Sequence, residues 1–284
     1  MSVQHVTPDL RQWILAQVNA GHLPDAIVKS MLASGWSEPV ALQALEDTLR
    51  THLVEQAAAN ATLPAGVPVP EPIGAAQNNG FRLNDRPVQI LASLRAPRVI
   101  VFGGLLSDTE CDELVALAKT RLVRSETVQL HTGQSEVNTA RTSEGMFFGR
   151  GENALCARIE ARIAELLNWP LENGEGLQIL RYSPGAEYKP HYDYFDPAQS
   201  GTPGILRRGG QRVASLVMYL VAPTRGGATV FPDVDFEVNP VKGNAVFFSY
   251  DRPHPGTRSL HGGAPVLEGE KWVATKWLRE ARFE

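Results

Sequence analysis

The sequence predicts a mainly β domain with supporting helices, of the jelly-roll or small-barrel type, preceded by a small N-terminal helical bundle. Short segments rich in β-branched and aromatic residues crowd the chain beyond Leu177, whereas before residue 56 the apolar residues recur at helical spacing. A stretch rich in Ala, Pro, Gly and Asn separates the two regions.

In the first region Leu10, Trp13, Ile14 and Val18 mark one helix and Ile27, Met31 and Leu32 a second. A third is expected after Ser37, a good N-cap followed by Pro39 in the first turn, with Leu42, Leu45, Leu49 and Leu53 on one side. Three short helices joined through Ser34-Gly35-Trp36 resemble the compact ubiquitin-associated-like class. The expected organisation is a bundle over 1–56, a linker over 57–95 with prolines at 64, 68, 70 and 72, and a jelly-roll domain over 96–284.

The third region opens with Val99-Ile100-Val101-Phe102, a strand, followed by Ser107-Asp108-Thr109-Glu110, a capping box that starts a helix. An amphipathic helix from about Asn153 to Leu167 carries Leu155, Ile159, Ile163 and Leu166 on one stripe. Strands follow at Leu177 to Tyr182, Val213 to Val221, Thr229 to Phe231, Ala245 to Tyr250 and Trp272 to Leu278. Regular strand–helix alternation is missing, which argues against a doubly wound nucleotide-binding fold, and no phosphate-loop motif occurs.

Composition narrows the function classes. A chain of 284 residues with 43% hydrophobic and 20% charged residues is ordinary for a globular protein. A net charge of −4 without a basic patch points away from nucleic acid and anionic membrane. The apolar runs fall short of the ~20 residues a spanning helix needs. With no secretory pattern at the start, and with two cysteines only, Cys111 and Cys156, the expected compartment is the cytoplasm, with both thiols free.

Chemistry concentrates late in the chain. His191-Tyr192-Asp193 places an imidazole and a carboxylate two residues apart, on one face of an extended strand. Alone, such a pair is more often a surface feature than a metal site. His261, in Leu260-His261-Gly262-Gly263, stands far enough along to return on an opposing strand and complete a triad of two histidines and one carboxylate. That donor set holds one face of an octahedral ion and leaves positions open for co-substrates, as in non-haem iron(II) oxygenases. Lys271, at the start of an aromatic-rich strand, is a cation suited to the distal carboxylate of a keto diacid. His254, between two prolines, is a rival third ligand better suited to a rim loop, while His5, His22, His52 and His131 are expected to be solvated or structural.

Leu177-Gln178-Ile179-Leu180-Arg181-Tyr182, Tyr188-Lys189-Pro190-His191-Tyr192-Asp193-Tyr194-Phe195, Gly226-Gly227-Ala228-Thr229-Val230-Phe231-Pro232 and the His261 and Lys271 blocks resemble, in order and spacing, the prolyl 4-hydroxylases, which are 2-oxoglutarate/iron(II)-dependent dioxygenases. The resemblance implies a double-stranded β-helix over roughly residue 98 to the end. It further implies that His191, Asp193 and His261 bind Fe(II), that Lys271 holds the 5-carboxylate of 2-oxoglutarate with help from Tyr182 and Thr229, and that O2 is the second co-substrate and ascorbate an activator. Arg141-Thr142-Ser143-Glu144-Gly145-Met146-Phe147 resembles the family's mobile loop beside the peptide, and Arg141, Tyr188, Arg212 and Trp277 are by the same resemblance substrate-binding.

The sequence departs from the family at Ala228, where Glu is frequent, and in an insertion from Ala198 to Gly210. Both bear on substrate preference. The implied substrate is a prolyl residue of a peptide or protein; alternatives are another amino-acid side chain or a small molecule, or a non-oxidative metal-binding barrel. The N-terminal bundle is expected to recruit a protein or to dimerise.

Overall fold

A computed structural model of the chain describes residues 6–19, 22–59, 63–73, 80–128, 135–137 and 142–284. It divides into two compact units, Met1–Ala65 and Gly66–Glu284.

The first unit holds helices α1 (Pro8–Asn19), α2 (Pro24–Ala33) and α3 (Glu38–Ala59). Its core is Ile14, Ile27, Met31, Ala41, Ala44 and Leu45. The three helices fall where periodicity placed them, but of the expected α3 stripe only Leu45 and, in part, Leu49 are buried. Leu42 and Leu53 are exposed, and the small residues Ala41 and Ala44 face inward instead. Leu45 joins them on one face because positions three and four apart share a side of a helix. Small side chains there let the helices approach closely.

The second unit has the helices α4 (Asp108–Ala118), α5 (Ala154–Leu167) and α6 (Thr202–Leu206). Its strands begin with β1 (Gly80–Arg82), β2 (Pro87–Leu94), β3 (Arg98–Gly103), β4 (Val123–Arg124), β5 (Glu126–Val128), β6 (Ser135–Val137) and β7 (Glu144–Phe148). Next come β8 (Leu177–Tyr182), β9 (Tyr188–His191), β10 (Arg212–Val221), β11 (Arg225–Gly226), β12 (Thr229–Phe231) and β13 (Phe236–Val238). The last are β14 (Ala245–Ser249), β15 (His261–Gly263), β16 (Val266–Glu268) and β17 (Lys271–Arg279).

A nine-stranded antiparallel sheet runs β1-β2-β3-β14-β10-β17-β8-β7-β4, and a four-stranded sheet runs β13-β12-β15-β9. The two sheets with the helices outside make the expected jelly roll. Two corrections to the sequence reading follow. The stretch 57–95, expected to be a linker, holds the end of α3 and the paired strands β1 and β2, and β2 is zipped to β3. Residues 66–73 also dock on this unit, through Val67 N to Asp251 O and Ile73 N to Leu166 O. Composition read as linker because prolines dominate its first half, while Pro87-Val88-Gln89-Ile90 carries the strand signal. Likewise residues 144–147, expected in a mobile loop, belong to strand β7, which is paired with β8.

The period of two along each strand assigns side chains to two cores. On β10, Leu216 and Met218 join α4 and α5 in the core beneath the helices, while Val217 and Tyr219 face the space between the sheets. On β17 the same alternation sends Lys276 towards α5 and Lys271 towards the minor sheet. Lys276 is 2% exposed and donates to Glu160 Oε1 at 2.5 Å and to the Glu175 carbonyl. The expected capping box at α4 is present: Glu110 N donates to Ser107 Oγ at 3.1 Å, and Ser107 N to Glu110 Oε2 at 3.0 Å. Glu110 also pairs with Arg162 of α5, at 2.7 Å. Among the described residues no helix is long and apolar enough to cross a membrane.

Removing one partner of the Lys276–Glu160 pair strands a buried charge. Lys276→Met is expected to cost about 3–5 kcal/mol, and Ser107→Ala about 1 kcal/mol. Both are read as shifts of the urea midpoint of the full chain followed by near-UV circular dichroism.

Candidate metal and co-substrate site

Antiparallel pairing of β15 with β9 sets His261 directly opposite His191. Asp193 was expected on the strand with His191; β9 ends at His191, and Asp193 follows it in a bend. Its carboxylate is brought back by a hydrogen bond from Ser215 Oγ to Asp193 Oδ2 at 2.6 Å. Gln211 clamps the chain just beyond, accepting from Phe195 N and donating to Phe195 O, each at 2.7 Å. The outcome is a cluster in which one donor atom each of His191, Asp193 and His261 lies within 4.8 Å of the others.

The ring nitrogens are sorted by their second contacts. His191 Nδ1 lies 2.9 Å from Lys189 O and His261 Nδ1 lies 3.0 Å from Ser259 O, so each Nδ1 carries the proton and donates to a carbonyl. Both Nε2 lone pairs are thereby left facing Asp193, whose oxygens lie 3.5 Å from each. Burial pushes His261 down to about 4, so its imidazole is neutral at physiological pH. Burial opposes ionisation of Asp193, but the adjacent imidazoles and Arg212 outweigh it and hold the carboxyl well below its ordinary value. Two imidazoles and one carboxylate aimed at a common point are the donor set of an octahedral, open-sided ion, and the residues fit Fe(II). Tyr188 stacks on His191 at 3.7 Å between ring centres.

The pocket beside this triad is lined by alternate residues of β17, Lys271, Val273, Thr275 and Trp277, together with Tyr182 and Thr229. Lys271 stands opposite Tyr182 in register, its Nζ 5.5 Å from that ring and 5.8 Å from the ring of Tyr219. Gly227, at φ +74°, makes room for it: a Cβ there would meet Pro223 Cγ at 3.0 Å and Lys271 Cδ at 3.3 Å. Among the described residues the other buried cations, Arg162, Lys276 and Arg279, are each paired with a carboxylate, and Lys271 has no such pair. Burial alone pushes its ammonium down to about 8.

Of the other anticipated residues, Thr229 accepts from Tyr219 Oη at 2.8 Å. Trp277 lines the pocket with its Nε1 hydrogen-bonded to nothing among the described residues. Arg212 does not itself line the pocket; its guanidinium sits 3.8 Å over the Trp277 ring and is paired with Glu175 at 2.7 Å. Arg141 and His131 lie outside the described residues. His254 is apart from the triad, its Nδ1 accepting from Gly256 N at the rim. Sequence reasoning missed Ser215, Tyr219, Tyr250 and Glu175. The period of β10 could have flagged the first two, because Ser215 and Tyr219 share the face of Val217, but nothing local marks Glu175, which holds both Arg212 and Arg279.

A family model described as the 2OG-Fe(II) oxygenase superfamily matches residues 177–279. The chain is 40% identical over 211 residues to prolyl 4-hydroxylase 2 of Arabidopsis thaliana, the match covering 66% of this chain and 69% of the relative. It is 43% identical over 203 residues to prolyl 4-hydroxylase 1 of the same plant, across 65% of this chain and 70% of that one. Among solved structures, the viral collagen prolyl hydroxylase of Paramecium bursaria Chlorella virus-1 in its 2OG complex superposes with a TM-score of 0.50 at 31% identity, covering 64% of this chain and 95% of that one. With the triad, the buried lysine and these relatives together, the chain belongs to the prolyl 4-hydroxylase family of 2OG-Fe(II) oxygenases.

Proposed function

We propose that this enzyme hydroxylates prolyl residues of a peptide or protein, with His191, Asp193 and His261 holding Fe(II) and Lys271 anchoring the 5-carboxylate of 2-oxoglutarate. The carrying observation is the buried Lys271 ammonium, without a carboxylate partner among the described residues, in the same pocket as the triad. A buried charge is tolerated when a ligand completes its pairing. When bound, the metal supplies the activation of O2 that the side chains cannot perform.

The chain's own residues bind and orient. Tyr182 flanks the ammonium, while Tyr219 donates to Thr229 and so leaves the threonine proton to point to the co-substrate. The apolar walls Leu180, Val217 and Val273 exclude water. On the substrate side Trp277 offers an orphaned indole N–H suited to a peptide carbonyl, with Tyr188 beside His191 and Arg212 bracing Trp277. Arg141 completes the substrate-binding set by resemblance. Relatives named as prolyl 4-hydroxylases support the choice of proline. Ascorbate as activator, a cytoplasmic location and recruitment or dimerisation by the bundle belong to the same reading.

Mass spectrometry of proline-containing peptides incubated with Fe(II), 2-oxoglutarate and O2 should reveal a gain of one oxygen atom localised to proline, lost in Asp193→Ala; modification confined to other residues would falsify the substrate assignment. Because the Lys271 ammonium persists only below about pH 8, 2-oxoglutarate affinity should be flat below that pH and weaken about tenfold per unit above it. In Lys271→Arg the guanidinium stays charged and the slope should vanish; a slope retained there rules out Lys271 as the anchor. Deleting residues 1–65 should leave turnover of short peptides within about twofold, whereas a cut at 75 would also remove Val67, Glu71 and Ile73 from their partners.

A further inference from the structure

Behind Asp193 the hydroxyl of Ser215 that holds its carboxylate continues into a buried relay to Tyr250. Ser215 is fully buried and Tyr250 is 2% exposed. Ser215 Oγ donates to Asp193 Oδ2 at 2.6 Å and lies 2.9 Å from Tyr250 Oη. Serine has one proton, and it is committed to the carboxylate; the tyrosine hydroxyl is therefore the donor in the second bond. Both partners are rigidly placed. Ser215 sits in mid-strand, opposite Trp277 on one side and Phe248 on the other, and Tyr250 N donates to Val213 O at 2.9 Å.

Asp193 needs this support because it lies past the end of β9, without a strand ladder to orient it. A carboxylate on a bend can rotate, and a rotated carboxylate can offer both oxygens to an ion. An aspartate that binds through both would occupy a coordination position that a facial triad leaves free for a co-substrate. The hydroxyl of Ser215 occupies a lone pair of Oδ2 and fixes the plane of the group, so Oδ1 is the freer oxygen.

We propose that Ser215 and Tyr250 are positioning residues for the metal site, Tyr250 acting through Ser215 to hold Asp193 as a ligand through one oxygen. The proposal rests on the iron(II) assignment of the triad, and it adds a role for two residues outside that triad. Hydrogen-bond partners of ligating groups are worth about 10–100-fold in metal affinity where this has been measured.

The test is anaerobic titration of the full chain with Fe(II), and separately with Co(II) read by visible absorption, in wild type, Asp193→Ala, Ser215→Ala, Ser215→Thr, Tyr250→Phe and the Ser215→Ala/Tyr250→Phe double variant. Ser215→Ala should weaken Fe(II) binding about 10–100-fold and alter the Co(II) spectrum, and Ser215→Thr should restore both. Tyr250→Phe, which keeps every carbon in place, should weaken binding less, and the double variant no more than Ser215→Ala alone. Wild-type affinity and spectrum in both Ser215→Ala and Tyr250→Phe would overturn the relay while leaving the triad standing. Binding in the wild type that Asp193→Ala does not reduce would overturn the triad assignment and the relay with it. If Ser215→Ala does not fold, Tyr250→Phe decides, with unchanged affinity counting against the proposal.

Discussion

The register of β15 against β9 is the constraint on which the site depends. His261 stands opposite His191 because the two short strands pair antiparallel in that alignment. A slip of one residue would turn one imidazole to the other face of the sheet and separate the ligands. The strands are only three and four residues long, so their own hydrogen bonds hold the alignment weakly. The rest comes from outside: β12 pairs with the far edge of β15, and the buried aromatic residues Phe231 and Phe248 pack against His261.

The large sheet serves that alignment by dividing its labour between two faces. One face is a conventional apolar core under α4 and α5; the other carries the polar groups of the pocket. Lys276 and Lys271 show the cost of each choice. The first is buried against a helix and neutralised within the protein by Glu160, whereas the second is buried where no carboxylate of the described residues reaches it. A fold that buries an unmatched ammonium sacrifices stability, and the proposed 2-oxoglutarate carboxylate would complete its pairing.

Around the pocket the polar groups form linked shells rather than isolated contacts. Glu175 is shared as an ion-pair partner by Arg212 and Arg279, and Arg212 lies over Trp277. The carbonyl of Glu175 also receives Lys276. The helix-side ion pair and the pocket-side indole thus meet at one residue, which explains how a charged cluster can be so deeply buried: each member has its partner.

Much of this was legible in the linear chain. The candidate ligands, their order, the capping box at Ser107 and the strand runs all depend on local chemistry, and the resemblance to the family suggests the role proposed for the lysine. Local pattern failed where burial is decided by distant segments. Leu42 and Leu53 match a helical stripe, yet the neighbours of α3 bury Ala41 and Ala44; 80–94 follows a proline-rich stretch, yet its strands find an open edge at β3. Which oxygen of Asp193 is held, and by which hydroxyl, could not be read from His191-Tyr192-Asp193 alone. Ser215 and Tyr250 stand 22 and 57 residues beyond that aspartate, and only long-range strand pairing brings their hydroxyls together. Residue identity and spacing thus determined what the chemistry could be, and tertiary packing decided which groups are desolvated, paired and aimed, because those properties belong to neighbours and not to sequence position.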